Sequence, residues 1–269
     1  ENSSAASDVY KRQYLPNPRV WKAEIAAKIA GITIEVIGDK PSEIPNWLWD
    51  SEPKKLSDSD KKELKQFERT GKRGFSSALY KTDDFIKLIP FGTVPAAFSP
   101  DGKIGIFESN SILRAIARQD DINNLYGKDA FEASRVDSFL DSGLVFSREH
   151  QEYLFGLNDM NEALYQRMKS AYEFFLNGIE ESLKNSKFIG FDHLTIVDIS
   201  FFCDFSQFLR EGHYVDDLKE KGFNLVSENF VKDYPKTFDH LMKLSEVEEF
   251  SSIIGTYLDW YKRKLKDSN

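Results

Sequence analysis

The sequence has a single cysteine, Cys203, so no intrachain disulfide is possible and a reducing compartment fits. No apolar run approaches the roughly 18–20 residues that span a bilayer, which excludes a membrane-spanning helix. Basic residues are the minority: 36 Lys and Arg against 44 Asp and Glu leave a net charge of −8. A general nucleic-acid binder needs a positive field, so the charge disfavours that class. The four histidines, His150, His193, His213 and His240, show no metal-ligand spacing, and no metal is expected. Internal repeats and low-complexity tracts are lacking. What remains is globular: 269 residues, 41% hydrophobic and 14% aromatic, make one large or two modest domains with a real core.

The first 13 residues, ENSSAASDVYKRQ, hold no signal-peptide apolar core. Asp8 to Gln13 resembles a translated library adapter, in which case the natural N-terminus, with any targeting peptide, is missing; a flexible tail is the alternative. Val9 to Leu15 can supply a strand. The pattern then predicts a helix over Pro18 to Ala30, ended by Gly31, and a β-branched strand over Ile32 to Ile37. Residues 38–83 read as an insertion. In it, Leu56 to Arg69 reads as a charged helix with Ser57 and Asp60 as its capping pair. Trp47 and Trp49 precede that helix; Lys72, Arg73 and Phe75 follow it. The segment is expected to be a surface excursion pinned by its aromatics, with a lid or a docking element as the alternative.

Pro90 to Arg118 carries the most information. It reads as a turn, a short strand opening at Val94-Pro95, a two-residue hairpin at Asp101-Gly102, a second strand, and a helix opening on Glu108-Ser109-Asn110. Ser109 or Asn110 can cap that helix, and free N–H groups at its end attract a carboxylate. From Ala130 onward the pattern is helical, with candidates over Phe131–His150, Met160–Asn185, Ile196–Arg210, Phe238–Leu244 and Ser251–Lys264. Thr195 and Asp198 form a capping box, with Leu194 and Ile199 as its staple. Cys203 lies in the apolar run ISFFCDF and reads as a packing residue; Arg148-Glu149-His150 reads as a helix surface.

The Pro90–Arg118 block resembles the glutathione-binding half of the glutathione transferase family, whose motif is written here Glu108-Ser109-Asn110-Ser111-Ile112. Leu194 to Ile199 resembles a helix start in the family's second domain, and Ala133 to Asp137 the start of that domain's first helix. The resemblance implies an α/β thioredoxin-like domain over residues 1–122, with the insertion at 38–83, then an all-α domain over 128–269. It implies a cis peptide before Pro95, Val94 offering its backbone to the cysteinyl part of glutathione, and Glu108 with Ser109 holding the γ-glutamyl end. Glutathione would be a co-substrate whose thiol, near the free cysteine value of about 8.5, needs a hydrogen-bond donor to stay ionised. Asn17 and Tyr14 are the candidates. Asn17 is preferred because it lies fourteen residues before Gly31, where serine-type members carry their serine; Asn17 as a plain helix cap before Pro18 is the other reading. The family's acceptor pocket maps to Phe139, Ser142, Phe146 and Tyr153, with Arg148, Tyr257 and Trp260 further candidates, and suits an apolar electrophile. A cytoplasmic homodimer is expected.

A more particular resemblance runs through Asn17 to Gly31 and Phe107 to Asn110, to the transferase-like module of elongation factor 1 gamma subunits. Those subunits carry a further C-terminal domain, whereas this chain ends at Asn269 and holds the insertion. On those departures an enzyme is expected. On the Asn17–Gly31 match, a non-catalytic interaction module is the alternative.

Overall fold

The computed structural model describes residues 9–14, 17–70 and 78–267. They divide into two units, Glu1–Ile116 and Ala117–Asn269.

The first unit opens with strand β1 (Val9–Tyr14), helix α1 (Pro18–Ala30) and strand β2 (Ile34–Asp39). Pro18 suits the first helical position because its missing N–H has no partner to lose. Gly31, at φ +66°, closes α1 in the left-handed region, and Ile32 N–H returns to Ala27 C=O at 2.9 Å. Tying Ile32 into that cap delays β2 to Ile34, two residues beyond the predicted start. β2 pairs parallel with β1, from Val9↔Ile34 to Tyr14↔Asp39.

The described part of residues 40–82 forms a second sheet instead of a surface excursion. Its strands are β3 (Trp47–Trp49), β4 (Lys54–Lys55), β5 (Glu68–Thr70) and β6 (Ala78–Lys81), in the order β4-β3-β6-β5. Helix α2 (Asp58–Glu63) has the Ser57–Asp60 capping box but stops at Glu63. The predicted helix to Arg69 gives way to a 3-10 turn, Lys65–Phe67, and then β5, which pairs with β6. The stripe of Leu56, Leu64 and Phe67 is too narrow to hold a long helix down, and it packs instead on Leu48 and Tyr80. Lys72, Arg73 and Phe75 lie outside the described residues. Trp49, 1% exposed, joins Ile44, Phe85, Ile89, Ala96 and Phe98 in one core, so the two sheets share their packing.

Helix α3 (Asp83–Leu88), capped by Thr82, leads to β7 (Ala96–Phe98), β8 (Gly105–Phe107) and helix α4 (Ser109–Ala117). The first sheet has the order β2-β1-β7-β8, with β7 antiparallel to both neighbours. The hairpin loop is four residues long, not two. Ser99 N–H reaches Ile104 C=O at 2.9 Å, and Asp101 Oδ1 accepts from Ser99 Oγ and Lys103 N–H.

The second unit is helical: α5 (Ala130–Phe155), α6 (Glu162–Asn185), α7 (Ile196–Phe208), α8 (Val215–Glu220), α9 (Phe230–Asp233), α10 (Pro235–Leu244), α11 (Glu248–Ile254) and α12 (Asp259–Asp267). Gly255, at φ +52°, breaks the predicted Ser251–Lys264 helix into α11 and α12. α7 is buried on nearly every side; Cys203 is 0% exposed within it. Asp198 anchors its start, accepting from Thr195 N–H, Ile189 N–H and His240 Nε2 at 2.8–3.0 Å. Among the described residues, no helix is long and apolar enough to cross a membrane.

Candidate functional site

Three chain segments converge at one end of the first sheet. β1 and β7 are paired through Arg12↔Ala96, two residues before Tyr14 on one strand and two after Val94 on the other. β7 and β8 are paired through Ala96↔Phe107, and Glu108 and Ser109, which open α4, follow Phe107 directly. The end of β1, the start of β7 and the start of α4 therefore meet.

The Val94–Pro95 peptide bond is cis. Pro95 is buried and Val94 half-buried, and among the described residues the Val94 N–H and C=O take no partner. A backbone pair left open beside a sheet offers one donor and one acceptor to an extended ligand. Glu108 is exposed and sits at φ +66°, where a residue with a Cβ pays about 1–3 kcal/mol. Its carbonyl starts the helix, accepting from Ser111 and Ile112 N–H at 3.0 and 3.1 Å. Glu108 thus takes the cap position predicted for Ser109 or Asn110. Ser109 becomes the first helical residue, and its Oγ has no partner among the described residues.

Asn17 is 1% exposed and caps α1: its Oδ1 accepts from Arg19 N–H at 2.9 Å. That bond fixes the amide's orientation and leaves Nδ2 buried with no partner among the described residues. An unmet buried donor costs about 1–3 kcal/mol, which a ligand acceptor would recover. The cap and the donor readings of Asn17 are therefore compatible. Tyr14 closes β1, and its side chain lies outside the described residues.

Sequence patterns missed Lys22. This lysine is 1% exposed in α1 and donates from Nζ to Asn110 Oδ1, 3.0 Å away, in the first turn of α4. Its neighbours Trp21 and Ala23 mark a buried face, but nothing in the spacing points to a buried cation.

The candidates for an acceptor pocket scatter. Phe146 and Tyr153 are 1% and 0% exposed, which corrects their assignment to a pocket wall. Phe146 stacks on Phe175 at 4.7 Å, and the Tyr153 hydroxyl donates to Glu211 at 2.9 Å. Both lie on the face of α5 that meets Phe208 of α7. Glu211 is wholly buried; burial pushes its carboxyl upward against the pull of donors from Ser227, Tyr153 and Val226. Ser142 is exposed and bonded to Ser138 C=O. Phe139 lines an open cleft of about 530 Å³ with Arg135, Ser182 and Asn185. His150 is 0% exposed beside Phe146, which corrects the surface reading of Arg148-Glu149-His150 for that residue; Arg148 is exposed. Trp260 packs on His213 at 4.1 Å, and Tyr257 is half-buried.

Solved structures share this architecture. A glutathione transferase from Methylobacillus flagellatus with glutathione bound superposes with a TM-score of 0.63 at 11% identity, over 91% of this chain and 98% of that one. Glutathione transferase F2 from Populus trichocarpa gives 0.60 at 18% identity, over 93% and 98%. The fold is that of the glutathione transferases. In sequence, this glutathione transferase fold is similar to elongation factor 1-gamma of Prunus avium, at 25% identity over 184 residues, and to elongation factor 1-gamma 1 of Oryza sativa subsp. japonica, at 23% over 180. Each match covers 65% of this chain and 39% of the relative, so the likeness spans well under half of those proteins. No family model matches the chain.

Proposed function

We propose that this chain is a glutathione transferase that binds glutathione at the Val94–Pro95 corner. The observation that carries the reading is the set of unmet groups at one sheet end: the Val94 backbone pair, the Ser109 hydroxyl and the Asn17 amide. They match an extended tripeptide by type. Val94 would pair with the cysteinyl backbone. Ser109 and the N-terminus of α4 would take the γ-glutamyl carboxylate, helped by the Lys22 ammonium beside Asn110, since both carry positive charge. Glu108 would face the γ-glutamyl ammonium.

Asn17 Nδ2–H would donate to the sulfur and stabilise the thiolate, and Tyr14 is the alternative donor. The thiolate attacks an apolar electrophile. With an aryl halide, a carbon–sulfur bond forms, halide leaves with its electron pair, and the thiol proton has already gone to solvent. The protein supplies proximity and a lowered thiol pKa, because the thiolate is itself a strong nucleophile.

The similarity to elongation factor 1-gamma proteins supports a second reading, a non-catalytic interaction module. Retention on immobilised glutathione together with conjugation of a generic aryl halide would support the enzyme. Retention without turnover would support the module. Neither retention nor turnover would remove the glutathione reading.

A further inference from the structure

Beyond the shared apolar core, the inserted sheet reaches the loop before Val94–Pro95 through a polar side chain. Lys81, the last residue of β6, is half-buried and donates from Nζ to the Gly92 carbonyl at 2.7 Å. Among the described residues it has no carboxylate partner. Burial and the neighbouring Arg69 guanidinium both press its pKa downward. Taking an ammonium out of water without an anion beside it is costly, and among the described residues a charge-assisted bond to one carbonyl offsets the loss. That carbonyl belongs to the second residue before Val94.

Both ends of the link are held. Lys81 pairs with Trp49, a core residue, across β3 and β6, and Thr82 N–H reaches Trp49 C=O at 3.2 Å. Arg69 on β5 aims Nε at the Lys81 carbonyl and forms an ion pair with Asp83. At the other end, Gly92 lies at φ +58°, and a Cβ there would come 3.2 Å from Ile86 Cδ1 and 3.5 Å from Lys81 Nζ. The loop thus folds tightly over α3 with the ammonium closed against it.

We propose that Lys81 is a positioning residue: the inserted sheet uses its ammonium to hold the Gly92 carbonyl and so to set the Val94 backbone for the ligand. The proposal rests on the glutathione reading for the identity of that ligand, and on the local geometry alone for the clamp. A shared hydrophobic core explains why the insertion is packed; it does not explain a cation placed on this carbonyl.

The test uses the full chain as wild type, Lys81→Met and Lys81→Arg. Amide hydrogen exchange is followed over residues 91–96 without ligand, and glutathione is titrated calorimetrically. Lys81→Met is expected to speed exchange over residues 91–96 tenfold or more, leaving β8 and α4 unchanged, and to weaken glutathione binding at least tenfold. Lys81→Arg, which can still donate to the carbonyl, is expected to restore most of both. Unchanged exchange and affinity in Lys81→Met would overturn the proposal. So would exchange raised equally through β7, β8 and α4, which marks a general loss of packing. A wild-type chain that binds no glutathione would sink the glutathione reading instead, and the exchange contrast would then decide the clamp by itself.

Discussion

The cap that Asn17 forms and the donor role proposed for its amide can be separated. Asn17→Asp keeps an oxygen for Arg19 N–H, so the α1 cap survives, but it removes the donor and puts a negative charge where the thiolate would sit. Conjugation should fall at least tenfold with the cap intact, and the pH–rate profile should move to higher pH as the thiol pKa rises. Asn17→Ala should lose the same activity and also about 1 kcal/mol of stability, read from urea unfolding. An activity loss in Asn17→Ala alone would leave only the cap. Ser109→Ala removes a hydroxyl donor to a charged ligand group, about 1.5–3 kcal/mol, so glutathione affinity should fall tenfold or more by calorimetry. Glu108 points the other way. Glycine pays nothing at φ +66°, so Glu108→Gly should hold or raise the melting temperature while weakening glutathione. A mutant that is less stable and binds equally well would contradict that division.

At the scale of elements, legibility followed length and local chemistry. Pro18 to Ala30, the Ser57–Asp60 box and the Thr195–Asp198 box are written in side chains that act within a turn or two, and each is where the sequence puts it. Pro95 and the Glu108-Ser109 pair are equally local, and their registers bring them to one sheet end. The second sheet was not legible, because strands of two to four residues are too short to show an alternation. Its pairing is tertiary: Glu68 meets Tyr80 twelve positions away. Phe146 and Tyr153 were misread because helical periodicity marks an apolar face but not whether protein or ligand covers it. The inserted sheet also carries an acid-sensitive tie. Asp39 accepts from Lys55 and from Trp47 Nε1, and these bonds hold its carboxyl down at about 2. A lowered folded pKa means the tie is fully present above the unfolded value of about 3.9 and lost as pH falls towards 2. Tryptophan fluorescence should therefore change over that window, and Asp39→Asn should abolish the step.

For the whole molecule, ligand linkage gives the broadest check. A ligand that binds only the folded chain stabilises it by about 2.7 kcal/mol at a hundred times its dissociation constant. For a chain of this size that is a rise of roughly 5 °C or more in melting temperature. Glutathione should produce it in the wild type, and Ser109→Ala should need at least ten times as much. The same shift in both proteins would move the binding site away from α4.

The seclusion of Cys203 has a practical corollary. The native polypeptide should be silent toward Ellman-type reagents, giving a full equivalent only once denatured. In a conjugation assay, disappearance of free thiol would then count consumed tripeptide alone, with no correction for the polypeptide. Any glutathionylated form of the intact polypeptide would betray an opening of its helical unit.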